Sequence, residues 1–268
     1  GVPVRGKSGQ QTPAVSAGKT RGTFLIELFR EQFDFIDSWL AERADRNQLT
    51  TIADPGPVTW PTAGQRNLVI GRDIAVELGH PDDASVAFIA WGASSGERRG
   101  GRIYRVGPDL PASQGQRRPF GKVVMIRGCG FDADNTYGRY RQLEAVRYAI
   151  DLQGYMMRAV SQANREWSRV SQAALENGFS FAVLGGALIA AYTAIEWVDR
   201  ADVLFGTSSR ADVMALRRLA ERVRKVTAAM NKMSEEMNFD CESCSYADVC
   251  GDVAGLRAMR KAMEKRDA

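Results

Sequence analysis

Histidine is nearly missing from this sequence, and cysteine is scarce. Its 268 residues hold one histidine, His80, and four cysteines. A single imidazole excludes a histidine metal cage and leaves little scope for a nucleophile–histidine triad. Four cysteines are too few to scaffold a chain of this size with disulfides. No run of 18 apolar residues occurs, so no membrane-spanning helix is expected. The longest apolar stretch, Phe179 to Val198, is broken by Ser180, Gly185, Gly186 and Glu196. Charge of one sign is also lacking: 36 Lys and Arg face 32 Asp and Glu, a net charge of +4. That bias is too small to suggest a nucleic-acid partner. A signal-peptide core is absent, so a cytoplasmic protein is expected. The lack of an initiator Met points to a fragment or a processed product.

Hydrophobic residues make up 44% and charged residues 25%, the balance of a folded globular chain. Residues 1–22 are polar and read as a flexible arm. Within them Ala17-Gly18-Lys19-Thr20 has the end of a phosphate-binding loop, but Pro13 stands where that loop needs glycine. From Thr23, apolar residues through Phe33, Ile36, Trp39 and Leu40 recur at helical spacing, predicting a long helix to about Arg46. Residues 50–64 carry three prolines and read as a linker. Strands are predicted over 73–78, 85–91, 102–106 and 122–127. The Gly-rich segment 92–101 reads as a hairpin connection. Helices are predicted over 135–152, 164–176 and 179–197, then a strand over 202–205. Ser209 is placed to cap a last long helix with a stripe of Val213, Leu216, Val223, Val226, Met230 and Met233. The stripe reads as core, and its basic opposite face as a solvated surface. The fold class expected is α/β, a mixed sheet with flanking helices, a long N-terminal helix and a C-terminal cysteine segment. The divisions expected are an arm (1–22), an N-terminal helix and linker (23–64), an α/β domain (65–240), and a metal-binding segment with a terminal helix (241–268).

Three of the four cysteines crowd together as Cys241-x2-Cys244-x5-Cys250. In a cytoplasmic protein that spacing points to metal. Two thiolates separated by two residues can take one corner of a soft centre, and the third can close the next. A [4Fe–4S] cluster suits them best, with zinc as the alternative, and each wants a fourth ligand. Cys129, between Gly128 and Gly130 at a predicted strand end, is the distant candidate. The other reading of Cys129 is a buried, inert thiol.

Several strings together resemble the middle region of acetyl-CoA synthase, the nickel–iron–sulfur subunit of the carbon monoxide dehydrogenase/acetyl-CoA synthase complex. They are Gly107-Pro108-Asp109-Leu110 with Pro119 and Gly121-Lys122-Val123-Val124, then Asn164-x-x-Trp167-x-Arg169-Val170-Ser171 with Gly178-Phe179 and Gly185, then the cysteine segment. The resemblance implies that Cys241, Cys244 and Cys250 match the first three cysteines around that family's [4Fe–4S] cluster. The family's later Cys-x-Cys nickel site has no counterpart before Ala268. The same resemblance associates Trp167 and the arginines, here Arg158 and Arg169, with coenzyme A; the other reading is a core tryptophan among surface arginines. It further implies other subunits of a redox complex as partners. The chain would then be a non-nickel subunit of an oxidoreductase or acyl-CoA-processing assembly. Iron–sulfur-stapled nucleases share the cysteine spacing, but their acidic and lysine motif is not evident here. A binding or assembly module stapled by a structural metal is the alternative from a different class.

Overall fold

The computed structural model describes residues 27–64, 67–94, 96, 99–110, 116–161, 163–235 and 244–264. The expected arm 1–22, its loop-like string, the start of the first helix at Thr23, and Cys241 lie outside these residues.

The chain forms an α/β structure with two mixed sheets and, among the described residues, seven α-helices. Helix α1 (Arg30–Asp45) buries Phe33, Ile36, Trp39 and Leu40, the stripe expected of it. It starts at Arg30, with Phe29 as its N-cap at non-helical dihedrals (φ −128°, ψ 29°). Strand β1 (Leu49–Ala53) follows, where a linker was expected, and pairs antiparallel with β4 (Arg102–Val106). Its Thr-rich sequence suits an edge strand, and the prolines come only after it.

The larger sheet has the order β1-β4-β9-β6-β3, with β3 at Ser85–Ala93, β6 at Phe120–Gly128 and β9 at Val198–Gly206. β3 and β6 are buried along almost their whole length and pair parallel, as strands covered on both faces do, although β6 carries Lys122 and Arg127. The predicted hairpin between β3 and β4 is therefore wrong. β4 pairs with β1 and β9 instead, and the Gly-rich segment 92–101 carries the chain across the sheet. That segment is longer than the two to five residues of an ordinary hairpin loop, and its glycines permit a crossing as readily as a turn.

The smaller sheet has the order β5-β2-β8-β7, with β2 at Ile74–Leu78, β5 at Gln116–Arg118, β7 at Tyr155–Ser161 and β8 at Arg165–Ser171. The helix expected over 164–176 is a second correction. β8 occupies most of it, and only α3 (Gln172–Glu176) is helical, capped by the Ser171 hydroxyl. Trp167, Val170 and Ala174 sit three and four apart and imitate a helical face. The alternation in β8 is one of burial, Glu166, Ser168 and Val170 against the half-buried Arg165, Trp167 and Arg169, and the polar residues on the buried face hide it in the sequence.

The two sheets meet at the outer edge of β3. Ala87 N–H donates to the Asn164 carbonyl at 2.6 Å, and the Ser85 hydroxyl donates to the Glu166 carbonyl at 2.6 Å. An edge that would otherwise offer unpaired backbone groups is thereby covered. Helix α4 (Phe181–Thr193) lies on β9 and β4 through Gly185, where an added Cβ would meet Ile103 at 2.7 Å. Helix α5 (Arg210–Glu235) lies on β3, with Val213, Leu216, Val226 and Met230 fully buried. Its cap is as expected: Asp212 N–H donates to Ser209 Oγ at 3.1 Å. Helix α2 (Thr136–Ala149) and the short α6 (Ala247–Asp252) and α7 (Ala254–Glu264) complete the structure. Among the described residues no helix is long and apolar enough to cross a membrane.

Candidate functional site

β8 organises two chemically different faces. Strand side chains alternate, so Arg165, Trp167 and Arg169 share the outer, partly exposed face, while Glu166, Ser168 and Val170 are buried beneath it. The expected trio of Arg158, Trp167 and Arg169 comes together on the outer face, built from two strands rather than one helix. The Arg169 guanidinium carbon lies 4.9 Å from the centre of the Trp167 ring, and that of Arg158 lies 5.8 Å from it. Both are within the reach of cation–π attraction. Arg158 can reach across because the β7–β8 register shifts between Met157 and Ala159, a bulge centred on Arg158. His80 meets the same indole edge-on at 5.1 Å.

Glu77, the cross-strand neighbour of Arg169 on β2, accepts from Arg169 Nε at 2.8 Å. Arg117 on β5 approaches the same carboxylate at 3.6 Å. One carboxylate thus fixes two guanidiniums in a row. Among the described residues, the Trp167 Nε1–H is buried and has no hydrogen-bond partner. A flat aromatic with an unsatisfied donor beside several planar cations is suited to a ring that carries phosphate.

The buried face holds a polar network that the sequence analysis missed. Lys122 Nζ on β6 donates to Glu166 at 2.7 Å, with the two side chains 5% and 0% exposed. The Tyr155 hydroxyl lies 3.1 Å from the same carboxylate, and the Ser168 hydroxyl also lies 3.1 Å from it. Burial alone would raise the Glu166 pKa, but the charges of Lys122 and Arg147 and the hydrogen bonds from Lys122 and Tyr155 outweigh it. The carboxyl is held below its ordinary value of 4.5. Burial keeps the Tyr155 phenol protonated, well above its ordinary range. The network ties the two sheets together directly under Trp167. Its sequence signal was Glu166 and Ser168 standing in phase with Val170.

The cysteines are reached only in part. Cys241 is outside the described residues. Cys244 and Cys250 line one small cavity of about 30 Å³ together with Ala229, Met233 and Tyr246, between α5 and the α6–α7 segment. Cys129 is exposed just beyond β6. Its N–H donates to the Trp197 carbonyl at 3.0 Å, and its own carbonyl accepts from Arg139. Among the described residues, no three His, Cys, Asp or Glu side chains gather as a metal-holding group.

The family described as CO dehydrogenase/acetyl-CoA synthase complex beta subunit matches residues 57–211, more than half of the chain. The match spans both sheets from β2 to the start of α5 and includes Arg158, Trp167 and Arg169. No curated protein matches the chain.

Proposed function

The chain belongs to the family of the CO dehydrogenase/acetyl-CoA synthase complex beta subunit, and from that premise we propose that it is an iron–sulfur subunit of a larger acyl-CoA-handling complex. Coenzyme A docks on the outer face of β8, and a [4Fe–4S] cluster is carried by the cysteine segment. The observation that carries the reading is the Trp167 indole with the Arg158 and Arg169 guanidiniums at 5.8 and 4.9 Å. In this reading the indole stacks on the adenine ring, the two arginines take phosphate oxygens in charge-assisted hydrogen bonds, and Glu77 holds Arg169 in place.

Cys244 and Cys250 supply soft donors on one cavity, and with Cys241 they would hold the cluster, with Cys129 as the proposed fourth ligand. A bound cluster supplies one-electron chemistry, at a potential set by burial and by hydrogen bonds to its sulfurs. The described residues around it are Ala229, Met233, Ala247 and the Tyr246 ring, with two cations, Lys232 and Arg260.

Coenzyme A titrated against intrinsic fluorescence tests the docking face. A saturable change is expected, weakened about tenfold in Arg158→Ala and in Arg169→Ala, the size of one lost charge-assisted hydrogen bond. Unchanged affinity in both variants would remove the proposal. Iron and acid-labile sulfide in anaerobically prepared protein, with absorbance at about 400 nm, tests the cluster. Stoichiometric zinc without sulfide would instead favour a stapled assembly module.

A further inference from the structure

We infer that a second, separate ligand site lies between α2, α5 and the tip of the β7–β8 hairpin, and that it takes an organic ligand bearing an oxyanion, either phosphate or carboxylate. A cleft of about 630 Å³ opens there and ends at Ser245 and Tyr246, beside the cysteine segment. This volume is within the range of small-molecule sites. The cleft shares no lining residue with the Trp167 face, so it stands independently of the coenzyme A reading.

Among the described residues Arg147 and Arg224 line it, with Lys232 and the carboxylate of Glu144 beside them. Arg147 carries the argument. Its side chain is only 8% exposed; the charge of the buried Glu166 offsets its own in part, but its direct contacts are long, Glu144 at 4.0 Å and the Ala87 carbonyl at 3.4 Å. Both direct contacts are at the outer limit of what stabilises a buried guanidinium, which leaves it able to take a closer hydrogen-bonded partner. An oxyanion in the cleft would supply one with the paired geometry that arginine favours. A buried acceptor lies on the same wall and suits a donor elsewhere on the ligand. Among the described residues, Asn231 Oδ1, on the α5 wall, is buried without a hydrogen-bond partner and can accept from a ligand hydroxyl or amide. Tyr140, Tyr148 and Tyr246 line the remaining wall, which suits an apolar or aromatic body behind the anionic head.

Phenyl phosphate and benzoate, titrated calorimetrically into the full chain, separate the two sources of oxyanion. Saturable binding of either probe is expected, with Kd raised about tenfold or more in Arg224→Gln, a rim variant that leaves the core intact. Arg147→Met should abolish binding wherever it folds. Arg158→Gln, on the outer sheet face, should leave both titrations unchanged. Absence of saturable binding by both probes, or an equal loss in Arg224→Gln and Arg158→Gln, would overturn the site. Loss of coenzyme A binding alone, with these titrations intact, would touch only the Trp167 proposal.

Discussion

Glu166 is the residue on which the junction of the two sheets turns. Its carboxylate is fully buried and faces Lys122 at 2.7 Å, with Tyr155 and Ser168 completing its shell. Such a pair adds little net stability over an apolar pair, but removing one partner strands the other charge. Glu166→Gln is expected to cost about 3–5 kcal/mol in urea denaturation, and a paired Lys122→Met, Glu166→Leu change should recover much of it. The pH dependence has a definite sign. Because the folded carboxyl titrates below its ordinary 4.5, its stabilisation is complete above that value and is lost as pH falls through the lower folded value. The acid limb of the stability curve should therefore be shallower in the paired apolar variant. Part of it will persist, since hydrogen bonds from Ser208, Arg43 and Ser209 outweigh partial burial and hold Asp212 low as well. Nothing in the sequence marked Lys122 and Glu166 as partners. They stand 44 positions apart, on strands of different sheets, and charge patterning reads only near neighbours.

At the scale of elements, α1 and α5 were legible because a single apolar stripe repeats at helical spacing and faces a sheet. Ser209 marked the start of α5 through a local hydrogen bond, which needs no tertiary information. Ser209→Ala is expected to lower stability by about 1 kcal/mol. The Arg43–Asp212 ion pair at 2.7 Å, which joins α1 to the first turn of α5, should limit fraying there. β8 was misread for a physical reason. A strand whose inner face carries Glu and Ser lacks the apolar alternation by which strands are recognised. The polar network that makes β8 distinctive also hid it. The Trp167 and arginine site was legible as a set of residue types but not as a surface, because Arg158 reaches Trp167 only through a bulge on the neighbouring strand. α4 offers a sharper test of element packing. Gly185 lets it approach β4 so closely that an added Cβ would meet Ile103 at 2.7 Å. Gly185→Ala gains helix propensity but overpacks the contact, and a net loss of about 1–3 kcal/mol is expected, read as a lowered Tm.

The whole molecule divides its stability unevenly between the sheets and the cysteine segment. β6, β9 and β3 form an apolar centre closed by α4 and α5, and the second sheet is bound to it through Glu166 and the edge of β3. The α6–α7 segment has much less support. It inserts Val249, Leu256 and Met259 against the Met230 and Met233 end of α5, and its polar ties are peripheral: Lys225 to Asp248 at 3.3 Å and Arg222 to Asp252 at 3.5 Å, each with exposed carboxylates. Exposed pairs of this kind add little. Val249, Leu256 and Met259 are its buried anchors and Tyr246, Cys250, Val253 and Ala258 pack beside them only in part, so the metal proposed for Cys244 and Cys250 would add to its local stability. If the proposed metal is bound, Cys244→Ser or treatment with a chelator is therefore expected to raise amide hydrogen exchange across 247–264. Protection of β6 and β9 should change little, because their hydrogen bonds and packing owe nothing to the cysteines. Unchanged exchange in 247–264 after complete loss of metal would mean that the apolar contacts to α5 suffice. The cysteines would then have no structural part in this end of the molecule.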